Sequence, residues 1–411
     1  MSDTSNIVVV GCSFGGMSAA HYICRHMLPQ LQRSSQKYVL HMIDPSTHFW
    51  WHNGSPRAMV SVNEMKHNDS FVPIMEGFKQ YKNLQDSIVF TQGTAMSVDP
   101  ETRTISIKKV EGGHETLSYH ALVIGTGILT PTPLTTLHGD HIKSQRALDD
   151  MNAKLKIAKS VVVGGGGPLG VEIAGEIATH YPGTKVTLVT RSDKLFHVLR
   201  KSLGEKAQKQ LEKAGVKVLY GVEVTGPEET SDGKTNVKLG NGESIQADVY
   251  IPAVGVTPNT AFLPETWKNG RGYVKTNPQT LRVDDAGARV YAVGDVAGVN
   301  AGGVLNLFDT IPIWGANMSH DLLADAKAGN VAEKQYHDKK AETQLVPIGA
   351  KTGVGAFNGW SMPAMAVSML KGKDYMLSQM PPLTTGSKYV FHLPTTIIAC
   401  ANKYCFRWAK A

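Results

Sequence analysis

The 411-residue chain is 42% hydrophobic and 19% charged, with a net charge of +7. That length suits about three compact units with substantial cores, and the composition excludes a disordered or low-complexity polypeptide. No apolar run is long enough to span a bilayer, and so small a charge surplus is that of a solvated surface rather than of a nucleic-acid-binding protein.

The chain opens on an apolar strand, Ile7 to Val10, followed by Gly11-Cys-Ser-Phe-Gly-Gly16. Strand, tight glycine turn and helix together form a dinucleotide fingerprint: small residues let the backbone approach a pyrophosphate, whose charge meets the free N–H groups of the helix start. Ser13 stands where the second glycine usually lies, and its short side chain can itself donate to a phosphate. Pro29 and the polar stretch Gln32 to Lys37 read as a loop inserted after the first helix. The next strand, Tyr38 to Ile43, ends at Asp44, a carboxylate able to accept from ribose hydroxyls. Ser87 to Val110, and later Val216 to Leu239, read as small antiparallel additions.

Ala121 to Gly127 is an apolar strand ending in small residues, and Val249 to Asn259 repeats that design, including Gly255. Both read as crossings between domains. Between them lies a second fingerprint, Gly165-Gly-Gly-Pro-Leu-Gly170, after the strand Ser160 to Gly164. A chain gripping two nucleotides passes electrons between them, and the usual pair is FAD with NADH or NADPH. The strand Lys185 to Val189 ends in Thr190-Arg191-Ser192. With no acid to accept from a 2′-hydroxyl, this run suits the 2′-phosphate of NADPH, the alternative being an exposed arginine without a ligand. Further on, Arg289 to Ala297 gives a buried strand closing on Gly294-Asp295, an acid placed to reach flavin ribityl or ribose hydroxyls. Asp309-Thr310-Ile-Pro312 reads as the cap of a helix over Trp314 to Ala324, whose N-terminus would face the charge of a reduced flavin.

These motifs, with Phe49-Trp-Trp-His-Asn53, Arg57, Pro258-Asn259 and Gly353-Val-Gly355, resemble the two-dinucleotide-domain flavoproteins. Within them they resemble the apoptosis-inducing-factor-like, mitochondrion-associated NAD(P)H:quinone oxidoreductases of the ferroptosis-suppressor type. The resemblance implies an α/β protein with two Rossmann-like domains, the glutathione-reductase-like FAD/NAD(P) fold, and a small C-terminal α+β segment. The expected division is an FAD domain at 1–128 and 250–335, an NAD(P)H domain at 129–249 and a C-terminal segment at 336–411. Glu172 resembles the family's glutamate facing flavin and nicotinamide; a plain helix N-terminal acid is the alternative. The candidate cofactor contacts are Gly11, Ser13, Phe14, Gly15, Gly16, Asp44, Arg57, Thr126, Gly127, Gly165, Gly167, Pro168, Gly170, Thr190, Arg191, Gly255, Gly294, Asp295 and Thr310. Relatives often carry a lysine just before the helix near the isoalloxazine, and Asn306 to Asp309 has none.

The cysteines, Cys12, Cys24, Cys400 and Cys405, form no Cys-x-x-Cys pair, so disulfide reduction is not expected, and no metal-ligand spacing occurs. The resemblance then makes a quinone the expected electron acceptor, bordered by the C-terminal segment with Phe357 and Trp360. Two rivals stand beside it: a biosynthetic oxidoreductase acting on a specialised small molecule, and a redox-sensing or DNA-binding protein. The N-terminus runs straight into the first strand, and Ser2 replaces the glycine that myristoylation needs, so a cytoplasmic protein is expected. Trp360 to Leu370, Thr395 to Cys400 and Tyr404 to Trp408 could rest on a membrane surface or pack on the FAD domain.

Overall fold

A computed structural model describes residues 4–338 and 341–389; Cys400, Cys405 and the stretches Thr395 to Cys400 and Tyr404 to Trp408 lie outside them. The first sheet has seven strands. Five are parallel, in the order Val290–Ala292, Ala121–Ile124, Ser5–Val10, Tyr38–Asp44 and Ile88–Asp99. Thr104–Lys109 and His114–Ser118 extend the long last strand as an antiparallel meander. Ser5–Val10 is apolar on both sides because both of its faces are covered: Ile7 and Val9 enter one core cluster, Val8 and Val10 another. The first of these clusters lies under the fingerprint helix Phe14–Tyr22 and the helix Val304–Asp325.

The second sheet is parallel, in the order Val216–Leu219, Lys185–Val189, Ser160–Gly164 and Val249–Pro252. A separate antiparallel sheet, Val224–Glu229, Thr235–Leu239 and Ser244–Ala247, follows its outer strand. The expected antiparallel addition at Val216 to Leu239 is therefore corrected: its first strand completes the parallel sheet and only the rest is antiparallel. The chain crosses between units on a two-stranded ribbon in which Ile128–Leu129 pairs with Thr257–Pro258. Because Val249–Pro252 still pairs with Ser160–Gly164, the return to the first unit falls beyond Pro252 rather than at residue 250.

Two helix boundaries also differ from expectation. Pro29 sits not in a loop but in Leu28–Leu31, a helical continuation of Phe14–Tyr22 through the π-turn Ile23–Met27; the π-turn, closed by the Leu28 N–H on the Ile23 carbonyl, interrupts the regular ladder just before the proline, which has no N–H to place in it. The expected helix start at Asp309-Thr310 lies well inside Val304–Asp325, which begins after Gly303 and contains Pro312. Gly302 and Gly303, at φ of 75° and 84°, make the true break.

The C-terminal segment forms a small antiparallel sheet, Gln344–Ile348, Thr352–Phe357 and Trp360–Ser361, packed on the second fingerprint helix Pro168–His180 through Val346 and Ile348. The chain then runs back to the first unit. Tyr389 donates its hydroxyl to Ser18 Oγ at 2.6 Å, and the His21 ring meets the Thr384 carbonyl at 2.7 Å.

Candidate functional site

The two fingerprints are the same device built twice. At Gly16 a Cβ would lie 1.6 Å from the Gly11 carbonyl oxygen, and at Gly170 it would lie 1.8 Å from that of Gly165. No side chain fits either place, so both turns close tightly and leave each helix N-terminus bare. Ser13 and Gly167 occupy equivalent N-cap positions, and neither helix start is capped by a side chain. Pro168 takes the first helical turn of the second copy. The first-turn N–H groups of both helices are thus available to a pyrophosphate, while the Gly11 and Gly165 N–H groups are held by the Ile43 and Val189 carbonyls.

A cavity of about 480 Å³ runs along the first unit. Of the residues named from sequence, Gly11, Ser13, Phe14, Gly15, Asp44, Thr126, Gly127, Gly294 and Asp295 line it, joined by His52 and Asn53 and, at the start of the long helix, by Gly303 and Val304. Gly16 lies just behind, against Gly11. The helix N-terminus expected at Thr310 does face the cavity, but it is supplied by Gly303 and Val304; Thr310 is buried nearly two turns deeper, its hydroxyl donating to the Leu307 carbonyl at 3.1 Å. Gly255 and Arg57 do not line the cavity. Gly255 is an exposed glycine at φ 73° beyond the strand Val249–Pro252.

Two acids stand in the cavity wall, Asp44 and Asp295. The Asp44 carboxylate accepts from the N–H groups of Cys12 at 2.6 Å and Ser46 at 2.8 Å. Burial pushes its pKa up to about 6; the two N–H donors oppose the rise and Asp140 adds to it. Asp295 accepts from the Gly303 N–H at 2.8 Å, and burial likewise raises its pKa against that bond. Two acceptors, Asp44 buried and Asp295 half-buried, joined by glycine-lined backbone fit a flavin dinucleotide, whose ribose and ribityl hydroxyls supply donors and whose pyrophosphate takes the bare helix N–H groups between them. Aromatic rings back the wall at Phe14, whose centroid lies 4.9 Å from those of Phe49 and His52 and 5.0 Å from that of Trp51.

On the second fingerprint helix, Glu172 and Glu176 are both buried. Lys371 of the C-terminal segment donates to Glu172 Oε1 at 2.6 Å and to the Leu345 carbonyl at 3.2 Å. Burial raises the Glu172 pKa; Lys371 opposes the rise and Glu176 reinforces it. Arg57 forks onto Glu176 at 2.6 and 2.8 Å, and the Tyr375 hydroxyl donates to the same carboxylate at 3.0 Å. Arg57, named from sequence as a cofactor contact, has its guanidinium on a protein carboxylate instead. Sequence reasoning missed Lys371 and Tyr375, because nothing local marks a residue whose partner is 199 positions away. At the end of Lys185–Val189, Thr190 is buried and Arg191 is exposed.

Phe357 and Trp360, expected to border the acceptor, sit on the C-terminal hairpin and do not line the cavity; Trp360 is 80% exposed. Cys12 and Cys24 are buried free thiols whose pKa values burial raises, so among the described residues no thiol is poised for redox exchange. No described helix is long and apolar enough to cross a membrane.

Fold and site together define a flavoprotein with two dinucleotide-binding units. Residues 5–338 match the family model for pyridine nucleotide-disulphide oxidoreductases, and the chain belongs to that family, as an FAD- and NAD(P)H-dependent oxidoreductase. It is 37% identical over 408 residues to Oxidoreductase phnG of Penicillium herquei, covering 93% of this chain and 97% of the relative. It is 25% identical over 391 residues to human ferroptosis suppressor protein 1, with 92% and 95% covered. Among solved structures, an engineered water-forming NADPH oxidase bound to NADPH superposes with a TM-score of 0.59 at 16% identity, over 85% of this chain and 74% of that one.

Proposed function

We propose that the protein takes hydride from NADPH onto its flavin and passes the electrons directly to a quinone-like acceptor, as a member of the ferroptosis-suppressor-type branch. The observation that carries this reading is the pairing of a cavity lined by the first fingerprint, Asp44 and Asp295 with an absence, among the described residues, of any exposed thiol to relay electrons. FAD, when bound, supplies a two-electron carrier between nicotinamide and acceptor. The chain's own residues orient and hold: Asp44 and Asp295 accept from hydroxyls, Ser13 and the turn amides meet the pyrophosphate, and Gly303 and Val304 present positive helix ends. Glu172, its carboxylate bonded by Lys371, takes the place of the glutamate that faces flavin and nicotinamide in the family it resembles. The overall exchange oxidises NADPH to NADP⁺ and, with one proton from solvent, reduces a quinone to its hydroquinone.

For the reductant, Thr190-Arg191-Ser192 lacks an acid and offers an exposed guanidinium to a 2′-phosphate. The engineered NADPH oxidase supports this reading, since its changes turn a run of aspartate, alanine and methionine into alanine, arginine and serine. The higher identity to phnG than to ferroptosis suppressor protein 1 favours a second reading, a biosynthetic oxidoreductase with a specialised small-molecule acceptor in the quinone position. Exposure of Trp360, Met365, Met369 and Leu370 supports peripheral membrane contact by a cytoplasmic protein.

The test is to reduce the holoenzyme anaerobically and offer a soluble quinone, oxygen and a panel of biosynthetic intermediates separately. Fast reoxidation by quinone is expected. Fast reoxidation by an intermediate alone would establish the second reading instead.

A further inference from the structure

Arg57 is 4% exposed, and every nitrogen of its guanidinium has an acceptor. Nε and Nη2 fork onto Glu176, Nη2 also donates to the Gly372 carbonyl at 2.9 Å, and Nη1 points to that of Lys373 at 3.4 Å. Three parts of the chain meet there: the first unit through Arg57, the second fingerprint helix through Glu176, and the C-terminal segment through two carbonyls and the Tyr375 hydroxyl. The gripped carbonyls follow directly on Lys371, the partner of Glu172.

The backbone at this point is not one the segment would keep unaided. Ser368–Gly372 is a single π-helical turn, closed by the Lys373 N–H on the Ser368 carbonyl at 2.8 Å. Tyr375 and Met376 follow with φ of 52° and 60°, in the left-handed region that side chains disfavour. Such geometry persists where surroundings over-determine it, and π-turns concentrate at functional sites. Here the surroundings are Arg57, the Trp51 Nε1 bond to the Tyr375 carbonyl at 2.9 Å, and the Tyr375 bond to Glu176.

We infer that Arg57 is a positioning residue for hydride transfer: by tying the Gly372 and Lys373 carbonyls to Glu176 it sets Lys371 against Glu172, so that this pair is assembled only when the C-terminal segment is docked. The inference rests on the reading of Glu172 and Lys371 given above. A lysine at position 57 keeps the charge on Glu176 but cannot fork onto a carboxylate and reach two carbonyls at once.

The experiment is a double-mutant cycle on the holoenzyme with Arg57→Lys and Lys371→Met, following flavin reduction by NADPH in stopped flow. Arg57→Lys is expected to lower the limiting rate roughly tenfold with the NADPH Kd unchanged, and to speed hydrogen exchange of the Ser368 to Tyr375 amides. In the Lys371→Met background it should add little further loss of rate. Tyr375→Phe, a milder cut in the same node, should move the rate the same way by a smaller factor. Full additivity of the two losses, or an Arg57→Lys effect on Kd alone, would overturn the inference while leaving the role of Lys371 intact. A Lys371→Met protein that reduces its flavin at the wild-type rate would overturn the reading of the pair, and the inference with it.

Discussion

Lys371→Met removes the cation that, among the described residues, hydrogen-bonds the buried Glu172 carboxylate, while methionine keeps most of the side-chain stem. Glu172 is 5% and Lys371 19% exposed. Breaking a buried pair by deleting one partner costs roughly 3–5 kcal/mol, and the partial exposure of the lysine places this case near about 3 kcal/mol. With an unfolding entropy of about 2.1 cal/mol/K per residue over 411 residues, that is a fall in Tm of about 3–4 °C. The pH dependence follows from Glu172. Its pKa is already raised by burial, against the pull of Lys371, and without the lysine it rises further. Where the folded protein keeps a proton that the unfolded chain has lost, stability falls as pH rises. The variant should therefore lie closest to wild type below the ordinary glutamate pKa of about 4.3, where Glu172 is mostly protonated folded and unfolded alike, and fall increasingly behind as pH climbs from there through the raised folded pKa. Thermal unfolding of both proteins at a series of pH values from 4.5 to 8.5 should show the gap widening. A gap of constant size, or one that Glu172→Gln in the Lys371→Met background fails to narrow, would refute the electrostatic account of this pair.

Asp295→Ala should weaken FAD binding by about 1.5–3 kcal/mol, roughly tenfold to a hundredfold in Kd, through loss of a half-buried charged acceptor; unchanged flavin content after gel filtration would contradict that role. Because burial pushes the Asp44 pKa up to about 6 and its ionised form is the better acceptor, FAD affinity should fall as pH drops through about 6. Fluorescence titration of apoprotein at pH 5 and 7.5 reads this, and Asp44→Asn should flatten the dependence. Arg191→Ala should weaken NADPH roughly tenfold relative to NADH, and an unchanged ratio of the two in flavin reduction would remove Arg191 from the 2′-phosphate site.

The parts of the site that the sequence revealed are those in which local backbone geometry and ligand contact coincide. Gly11, Gly16, Gly165 and Gly170 are legible because no side chain fits their turns, Asp44 because it ends an apolar strand, and Asp295 because it follows one after Val293-Gly294. The start of the long helix was misread because Pro312 is a familiar first-turn residue, whereas the break is made by Gly302 and Gly303 further upstream. Lys371, Tyr375 and the destination of Arg57 were out of reach for a different reason. Their partners are 199, 199 and 119 positions distant, and the pairing exists only once the C-terminal segment folds back over the second fingerprint helix. The exposed Trp360 shows the converse error, an aromatic residue near the right part of the chain but on the outer edge of its sheet.

The central claim, two nucleotide sites joined by one electron path, is tested most directly by anaerobic titration of the purified holoprotein with NADPH, beside a Gly170→Ala variant whose Cβ would strike the Gly165 carbonyl. The account predicts noncovalently held FAD in both proteins, complete bleaching of the flavin by NADPH in the wild type, and loss of that bleaching in the variant while a chemical reductant still bleaches it. A protein that takes up no FAD, or a flavin that neither NADPH nor NADH reduces, would contradict it.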